Sequence, residues 1–333
     1  MGSRNARLKI LFAIQGTGNG HIARSREIIP RLAKYADIDV LVSGYQYQLD
    51  IRHPVTYAFK GVSFVFGEKG EIDYWKTLAR LDLRQAHKDL RSLPKKKYDL
   101  VVSDFEPISA RFAEKYGIPS VHISHEIALL SPQSPRPGWD ILAELVISLY
   151  APCDKTIGIH YKKYDATMVT PIIRDKIRKA REKKNNNEYY LAYLHAFSDE
   201  RLISVFSKTK ERWIIVSKYI KRPKQINKNI FMLPVGHESY EDIFAGARGV
   251  CFNTGFQATA EALFLGKKLY TVPQRGQHEQ QCNAEALKEF GAWSSKKLKA
   301  DYVREWIAEG KPTKQQDYSD PIPEIVERIL DFT

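Results

Sequence analysis

The sequence LKILFAIQGTGNGH, residues 8–21, decides the fold class. Residues 8–14 predict a buried strand, and residues 15–21 predict a glycine-rich turn. A helix is expected next, because Ile28, Ile29 and Leu32 are apolar at helical spacing. A strand, a turn and a helix in this order are typical of a parallel sheet covered by crossover helices.

The same alternation continues along the chain and then restarts. The other strands predicted in the first series are residues 38–42, 55–59, 100–103 and 120–123, with helices at residues 22–34, 74–93 and 107–116. The second series has strands at residues 189–194, 213–216, 230–233, 249–252 and 268–273, with helices at residues 257–265 and 279–290. Since 333 residues exceed the usual size of one hydrophobic core, the chain is expected to form two domains.

We therefore predict an α/β protein with two facing, doubly wound Rossmann-like domains. The predicted domains are residues 1–160 and 161–333, and the hinge is expected near residues 153–171. Ligands of such folds bind at the carboxyl ends of the parallel strands. The sequence therefore predicts a ligand cleft between the two sheets.

The chain is basic, with 52 Lys and Arg against 39 Asp and Glu and a formal charge of +13. This excess is compatible with a phosphorylated or polyanionic partner. Nucleic acid is not expected, because aromatic residues are not interleaved with the basic runs as stacking platforms would require.

The cysteines and the apolar runs indicate the cellular compartment in which the protein is expected. Cys153, Cys251 and Cys282 are far apart and lack a CxxC pattern, which indicates a reducing compartment and no structural metal. The N-terminus lacks a signal-peptide pattern, and the longest apolar run is too short to span a bilayer. A cytoplasmic protein is expected, with peripheral attachment to the inner face of the membrane left open.

The glycine-rich turn is the first candidate ligand site. Its backbone can approach a ligand closely, and the following helix N-terminus can bind a phosphate. The dinucleotide fingerprint is not met, because His21 stands where that motif needs glycine, and no Lys-Ser or Lys-Thr completes a P-loop. NAD binding is disfavoured and a nucleotide-hydrolysing P-loop is excluded.

Three residues are candidates for a catalytic base. His21 has the chemistry to accept a proton from an acceptor hydroxyl, or else it caps the helix or contacts phosphate without moving a proton. Asp104 and Glu106 follow a predicted strand and are the second candidates. Their alternative role is to cap the helix that begins near Pro107.

The second motif is FNTGFQATAE, residues 252–261. A strand that ends at Asn253 and a helix that begins at Phe256 create a second anion site. Glu261 on that helix could accept hydrogen bonds from two neighbouring ribose hydroxyls, or it could be an ordinary solvated glutamate. The next predicted helix carries three amides that could bind sugar hydroxyls, namely Gln280, Gln281 and Asn283.

Both motifs resemble those of the family 28 inverting glycosyltransferases and their relatives, which have the GT-B fold. The resemblance implies that the acceptor site contains Gly16, Thr17, Gly18, Asn19, Gly20, His125 and Glu126. It implies that the donor site contains Arg174, Thr254, Gly255, Phe256, Gln257, Glu261, Gln280, Gln281 and Asn283. The segment 194–198, LHAFS, departs from the family's glycine- and serine-rich diphosphate loop, and His195 could donate there instead.

The reaction implied is a single displacement that moves a sugar from a nucleotide diphosphate, with UDP as the first choice, to an acceptor hydroxyl. The acceptor would be a sugar or a lipid-linked molecule, and no metal or other cofactor is required because the helix N-terminus stabilises the leaving group. A nucleotide-sugar hydrolase or epimerase on the same fold, and a non-catalytic nucleotide-sugar binding protein, remain alternatives.

The segment after Glu126 is a candidate membrane contact. It contains Leu129 and Leu130, then three prolines and Arg136, and it ends at Trp139 before an apolar helix. If the loop is exposed, its apolar tip could enter an anionic lipid surface. In the alternative, the two leucines pack under the domain and Trp139 caps its core.

Overall fold

The computed structural model describes residues 7–44, 49–61, 83–95, 97–182 and 188–332. The first sheet consists, in chain order, of β1 (Leu8–Gln15), β2 (Ala36–Ser43), β3 (Val55–Phe59), β4 (Leu100–Asp104), β5 (Ser120–Ser124), β6 (Lys155–Ile159) and β7 (Met168–Val169). The spatial order is β3-β2-β1-β4-β5-β6-β7, and all neighbours are parallel. The helices of this part are α1 (Asn19–Leu32), α2 (Leu83–Ser92), α3 (Pro107–Tyr116), α4 (His125–Ala128) and α5 (Ile141–Tyr150).

A segment with helix α6 (Asp175–Arg181) leads to the second sheet. Its strands are β8 (Tyr190–Tyr193), β9 (Trp213–Ser217), β10 (Lys224–Asn227), β11 (Ile230–Pro234), β12 (Gly249–Phe252), β13 (Lys268–Thr271) and β14 (Trp293–Ser294). Their spatial order is β10-β11-β9-β8-β12-β13-β14, and only the edge strand β10 is antiparallel to its neighbour. The helices are α7 (Asp199–Phe206), α8 (Tyr240–Gly246), α9 (Phe256–Phe264), α10 (His278–Lys288), α11 (Ala300–Glu309) and α12 (Ile322–Leu330).

The opening sequence folds as its residues predict. β1 lies between β2 and β4 in the centre of the sheet. Ile10, Phe12 and Ile14 pack into one core cluster and Leu11 and Ala13 into another, so both faces are buried and the apolar residues are continuous instead of alternating. The turn after it packs closely against the end of β2. A Cβ on Gly16 would lie 2.7 Å from the carbonyl oxygen of Gly44, so only glycine fits there.

The α/β class and the two Rossmann-like sheets are confirmed, and each predicted strand lies at or within about two residues of an observed one. Four strands, β6, β7, β10 and β14, were not predicted because they are short or carry polar residues. Part of the helix predicted at residues 74–93 lies outside the described residues, and the described part is α2.

The first sheet extends beyond residue 160, and the C-terminal helix contacts the first half. β7 pairs with β6, so the first sheet continues to Val169. The last helix, α12, returns to pack against α1, and Arg31 lies 3.4 Å from Asp320 just before α12. The C-terminal segment therefore packs on the N-terminal half.

Candidate active site

The carboxyl ends of β1, β4 and β5 bring together the residues predicted for the acceptor side. His21 lies in the first turn of α1, and Asp104 is the last residue of β4. Nδ1 of His21 lies 2.8 Å from Oδ1 of Asp104. The structure thus places two of the three candidate bases in contact.

Arg24 is a third member of this cluster that the sequence did not indicate. Its Nε donates to Oδ2 of Asp104 at 2.8 Å, and its NH2 group donates to Oδ1. Burial alone would raise the pKa of the Asp104 carboxyl, but Arg24 and His21 outweigh burial and lower that pKa to about 2. Asp104 is therefore a permanent anion behind His21.

The residue after Asp104 has an uncommon backbone conformation. Phe105 has a φ of 53°, which a bulky residue adopts only where its surroundings impose it. Its ring stacks on His21 with 6.4 Å between centroids and packs against Tyr150 at 4.7 Å. These contacts hold the sharp turn that directs Asp104 towards His21.

Glu106 has the capping role that the sequence left open. Its carboxylate accepts hydrogen bonds from the backbone N–H groups of Ile108 and Ser109 at 3.0 and 2.6 Å, and from the Ser43 hydroxyl at 2.6 Å. The side chain is fully buried as the N-cap of α3. Because its oxygens are bound within the domain, Glu106 is not available as the base, and we correct that assignment.

Two glutamates, one from each half of the chain, lie close to each other beside Arg24. Oε1 of Glu126 lies 3.5 Å from Nε2 of His21. Its Oε2 is buried 3.6 Å from Arg24 NH2 and has no hydrogen bond within the described part of the chain. Glu279 of α10 was not predicted. Burial, followed by the charge of Glu126, raises the pKa of Glu279 to about 8. One carboxylate and one carboxyl group that holds its proton at neutral pH therefore meet at this point.

His125 connects the acceptor side to the donor side. Its Nδ1 lies 2.8 Å from the carbonyl oxygen of Ile159, and its Nε2 lies 2.6 Å from Oδ1 of Asn283 in α10. Its ring also stacks on Phe256 at 3.8 Å. Burial lowers the pKa of His125 to about 4, so its imidazole is neutral near pH 7. His125 is therefore a contact between the two halves.

The N-terminus of α9 has the features of an anion site. Its N-cap is Gly255, which has no side chain to cap the helix, so the first N–H groups remain available to a ligand. Asn283 Nδ2 donates to the Thr254 carbonyl oxygen at 2.9 Å, and Gln280 Oε1 lies 3.4 Å from Thr254 Oγ1. Two of the three predicted amides, Gln280 and Asn283, therefore support the turn that begins α9.

Arg174 forms a buried ion cluster beside α9. Its Nε and NH2 groups donate to the two carboxylate oxygens of Glu261, each at 2.7 Å, and its NH1 donates to Glu241 at 2.9 Å. Gln257 Nε2 also donates to Glu261, at 3.0 Å. Glu261 is fully buried, so the solvated glutamate considered as its alternative is not what the structure shows.

The remaining predicted residues line the same edges of the sheets. His195 is exposed after β8, 5.6 Å from the ring of Tyr193, and Gln281 is partly buried on α10. Residues 17–20 are partly exposed, and a Cβ at Gly18 or Gly20 would meet no atom of the described residues within 4 Å. Space for a ligand therefore lies over the glycine-rich turn.

An apolar surface lies along α5. It consists of Trp139, Ile141, Leu142, Leu145 and Leu149, each more than half exposed, and we call it the α5 apolar face. Tyr150 OH accepts from Gln15 at 2.9 Å, and Asp140 lies 3.9 Å from His278 of α10. The helix therefore extends from α10 to the end of β1.

This arrangement corrects the expectation for the loop. Leu129 is only 2% exposed and packs in the domain, as the alternative expected, and Leu130 is partly buried. Trp139 does not cap the core, since it is exposed and stacks on the Arg136 guanidinium at 4.2 Å. The exposed apolar residues are on the helix and not at the loop tip.

No group of three His, Cys, Asp or Glu side chains in the described residues is arranged to hold a metal ion. None of the helices described has both the length and the apolar character needed to cross a bilayer.

The fold and the cleft define a GT-B glycosyltransferase, and the comparisons agree. The model of glycosyl transferase family 1 matches residues 8–309, so the chain belongs to this family. A search of curated protein sequences finds no match.

Solved glycosyltransferase structures share the fold along nearly the whole chain. A UDP-glucosyltransferase from Polygonum tinctorium has a TM-score of 0.62 at 14% identity, covering 98% of this chain and 94% of its own. The calicheamicin glycosyltransferase CalG4 has a TM-score of 0.59 at 16% identity with the same coverage. MurG from Acinetobacter baumannii has a TM-score of 0.55 at 12% identity, covering 98% of this chain and 99% of its own.

Proposed function

We propose that the protein is an inverting glycosyltransferase that moves a sugar from a nucleotide diphosphate, with UDP as the first choice, to an acceptor hydroxyl. The observation that carries the proposal is the His21–Asp104 contact of 2.8 Å, on the side of the site that the stacking of His125 on Phe256 joins to the uncapped N-terminus of α9. The first supplies a base for the acceptor, and the second supplies an anion site for the leaving group.

His21 would act through Nε2. Nδ1 of His21 lies 2.8 Å from Asp104 Oδ1, which can only accept, and 2.7 Å from Arg24 NH2, which can only donate. In the tautomer that acts as the base, Nδ1 would donate its proton to Asp104 and leave the lone pair on Nε2. Nε2 is the nitrogen that faces Glu126. The acceptor hydroxyl would lose its proton to Nε2 as its oxygen bonds to the anomeric carbon. Asp104 would then stabilise the imidazolium.

The leaving group would depart on the opposite side of the anomeric carbon. As the bond from that carbon to the diphosphate oxygen breaks, the oxygen takes the electron pair, and the N–H groups of α9 stabilise the negative charge. Thr254, Gly255, Phe256 and Gln257 would surround the diphosphate, with Gln280, Gln281 and Asn283 towards the sugar. Because attack and departure are on opposite sides, the configuration inverts. The proposal needs no metal or other cofactor.

The acceptor would bind over the glycine-rich turn and Glu126. The buried Oε2 of Glu126 lies 3.6 Å from Arg24 NH2 but forms no hydrogen bond within the described residues, so it can accept one from a second donor group of the acceptor. The α5 apolar face continues outward from this site and is suited to an apolar or lipid-linked part of the acceptor, held at an anionic membrane surface. The chain's positive charge favours such a surface.

The test is a transfer assay with UDP-, GDP- and TDP-linked sugars and a panel of soluble and lipid-linked acceptors. We expect sugar transfer with inverted configuration from one class of donor. Release of free sugar at the same rate with and without every acceptor would favour a hydrolase instead. Donor binding without turnover would favour a non-catalytic binding protein.

A further inference from the structure

Arg24 contacts both the proposed base and the anion beside it. Its NH2 nitrogen is 2.7 Å from Nδ1 of His21 and also donates to Oδ1 of Asp104. Nδ1 itself lies 2.8 Å from Oδ1. Because a guanidinium can only donate and a carboxylate can only accept, Nδ1 cannot form both hydrogen bonds at once. The one that forms decides which nitrogen of His21 carries the proton.

The hydrogen-bond balance favours the bond from Arg24 to Nδ1. Even without His21, Asp104 accepts three hydrogen bonds. They come from Arg24 Nε at 2.8 Å, from Arg24 NH2 and from the Ser25 hydroxyl at 3.3 Å. Arg24 is only 5% exposed, and Oε2 of Glu126 is 3.6 Å from its NH2 nitrogen, beyond hydrogen-bond distance. A proton on Nδ1 therefore leaves a buried guanidinium N–H without its acceptor, which costs more than one bond fewer to Asp104.

The other side of the His21 ring favours the same tautomer. Nε2 lies 3.5 Å from Oε1 of Glu126. Burial would raise the pKa of the Glu126 carboxyl, but His21 and Arg24 outweigh burial and lower that pKa, so Glu126 is an anion near pH 7. This anion attracts a proton on Nε2 and repels a lone pair there. In this arrangement His21 carries its proton on Nε2, where it cannot accept another.

A small movement of the guanidinium makes the other tautomer available. Oε2 of Glu126 is buried and forms no hydrogen bond within the described residues. When the Arg24 NH2 group turns to Oε2, Nδ1 can take up a proton and donate it to Asp104, while Nε2 gives up its own proton to solvent. The net charge of the site does not change. Nε2 then has the lone pair that an acceptor hydroxyl requires, and the second lone pair of Oε2 remains available to the acceptor.

On the basis of the proposed function, we infer that Arg24 is a positioning residue that keeps His21 protonated on Nε2 until an acceptor hydroxyl binds there. Glu126 is the residue to which Arg24 turns when the base becomes active. Hydrolysis would follow the same course as transfer, with a water oxygen bonding to the anomeric carbon, the water proton going to Nε2 and the nucleotide diphosphate leaving. By withholding the base from water, Arg24 favours transfer over loss of the donor.

Nitrogen NMR of the histidine rings tests the inference without any ligand, because protonated and unprotonated ring nitrogens have well-separated chemical shifts. The sample is the full-length protein with isotopically labelled histidine at about pH 7.5, roughly one unit above the ordinary histidine pKa. His21→Gln identifies the His21 signals by their loss. In the wild type we expect a proton on Nε2 and none on Nδ1. In Arg24→Met, which has no donor, we expect Nδ1 to be protonated.

Ser25→Ala is the matched control, because Ser25 lies on the same helix and donates to Asp104 rather than to His21. It should keep the wild-type tautomer. A wild-type spectrum with Nδ1 protonated, or an Arg24→Met spectrum with Nδ1 unprotonated, would overturn the inference. The wild-type spectrum needs no variant, so it decides even if Arg24→Met does not fold.

The second measurement is the release of free sugar from UDP-, GDP- and TDP-linked sugars with no acceptor added, each protein at its own pH of maximum rate. Arg24→Met should release sugar roughly tenfold faster than the wild type, the size of one hydrogen bond to a charged group, whereas loss of a merely structural residue would slow the reaction. Ser25→Ala should not be faster. An equal or lower rate in folded Arg24→Met would also overturn the inference. The glycosyltransferase proposal is judged separately, by sugar transfer in the wild type.

Discussion

The imidazole of His125 stacks on the ring of Phe256 with 3.8 Å between centroids, and the two residues belong to different halves of the chain. His125 also reaches Asn283 in the second half at 2.6 Å. The acceptor-side pair His125-Glu126 and the donor helix α9 are thereby held together by a neutral, buried histidine.

This burial makes stability depend on pH. The pKa of His125 falls from 6.5 to about 4 in the folded protein because of burial. Between these values the unfolded chain binds the proton and the folded one does not, so stability present above pH 6.5 is lost as pH falls towards 4. In this range, the free energy of unfolding falls by about 1.4 kcal/mol for each unit by which the pH is lowered, because of His125 alone.

The measurement is the thermal midpoint of the wild type and of His125→Gln between pH 6.5 and 4.5. Other buried groups also titrate, including His122 and Glu279, so the difference between the two slopes isolates His125. We expect the variant's midpoint to fall less steeply. His87→Gln, at an exposed position, should match the wild type. Identical slopes for His125→Gln and the wild type would contradict a neutral His125.

The sequence predicted those parts of the fold that have strong local signals. Helix α3 was predicted at its observed bounds, because Pro107 begins it and Gly117 ends it at a φ of 63°. β7 has only two residues, and pairing with β6 defines it more than its own composition does.

The sequence allowed the residue types of the site to be predicted, but not which of these residues contact one another. His21 and Asp104 are 83 positions apart, and only the order of strands β1 and β4 brings them together. Arg24 carried a usable signal, since it follows His21 by three positions and so shares its helix face. Glu241 had no such signal, because its contact with Arg174 depends on the packing of two separate segments.

His21 is expected to be the base that accepts the proton of the acceptor hydroxyl. His21→Ala should lower kcat by roughly 10² to 10⁴, the range for loss of a general base, with little change in donor affinity. Asp104→Asn should also lower kcat, because a neutral amide no longer fixes the His21 tautomer. Single-turnover assays and calorimetry measure the two quantities separately.

Glu106 is the natural comparison for these variants. Glu106→Gln should affect the thermal midpoint more than kcat, since the side chain caps α3 and lies outside the cleft. If His21→Ala retains wild-type activity, the base is another residue, and Glu126 is the next to test.

Glu261 is expected to matter for stability as well as for the donor. Glu261→Ala leaves Arg174 with Glu241 as its remaining carboxylate, and breaking a buried ion pair costs about 3–5 kcal/mol. The thermal midpoint should fall by about 5–10 °C, while Glu238→Ala should leave it unchanged. A Glu261→Ala protein as stable as the wild type would show that the pair contributes little.

The α5 apolar face is expected to bind anionic membranes. Insertion of exposed Leu142 and Leu145 removes apolar area from water, and the basic surface adds an attraction that salt screens, with a Debye length of about 10 Å at 0.1 M. The protein should sediment with vesicles containing phosphatidylglycerol, and less so as salt rises. Leu142→Asp with Leu145→Asp should weaken sedimentation without a change in thermal midpoint.

Leu129→Asp is the contrasting variant, because it places a charge at a buried position and should destabilise the fold instead. Wild-type protein that remains in the supernatant at low salt would mean that the α5 apolar face contacts a soluble acceptor and not a membrane.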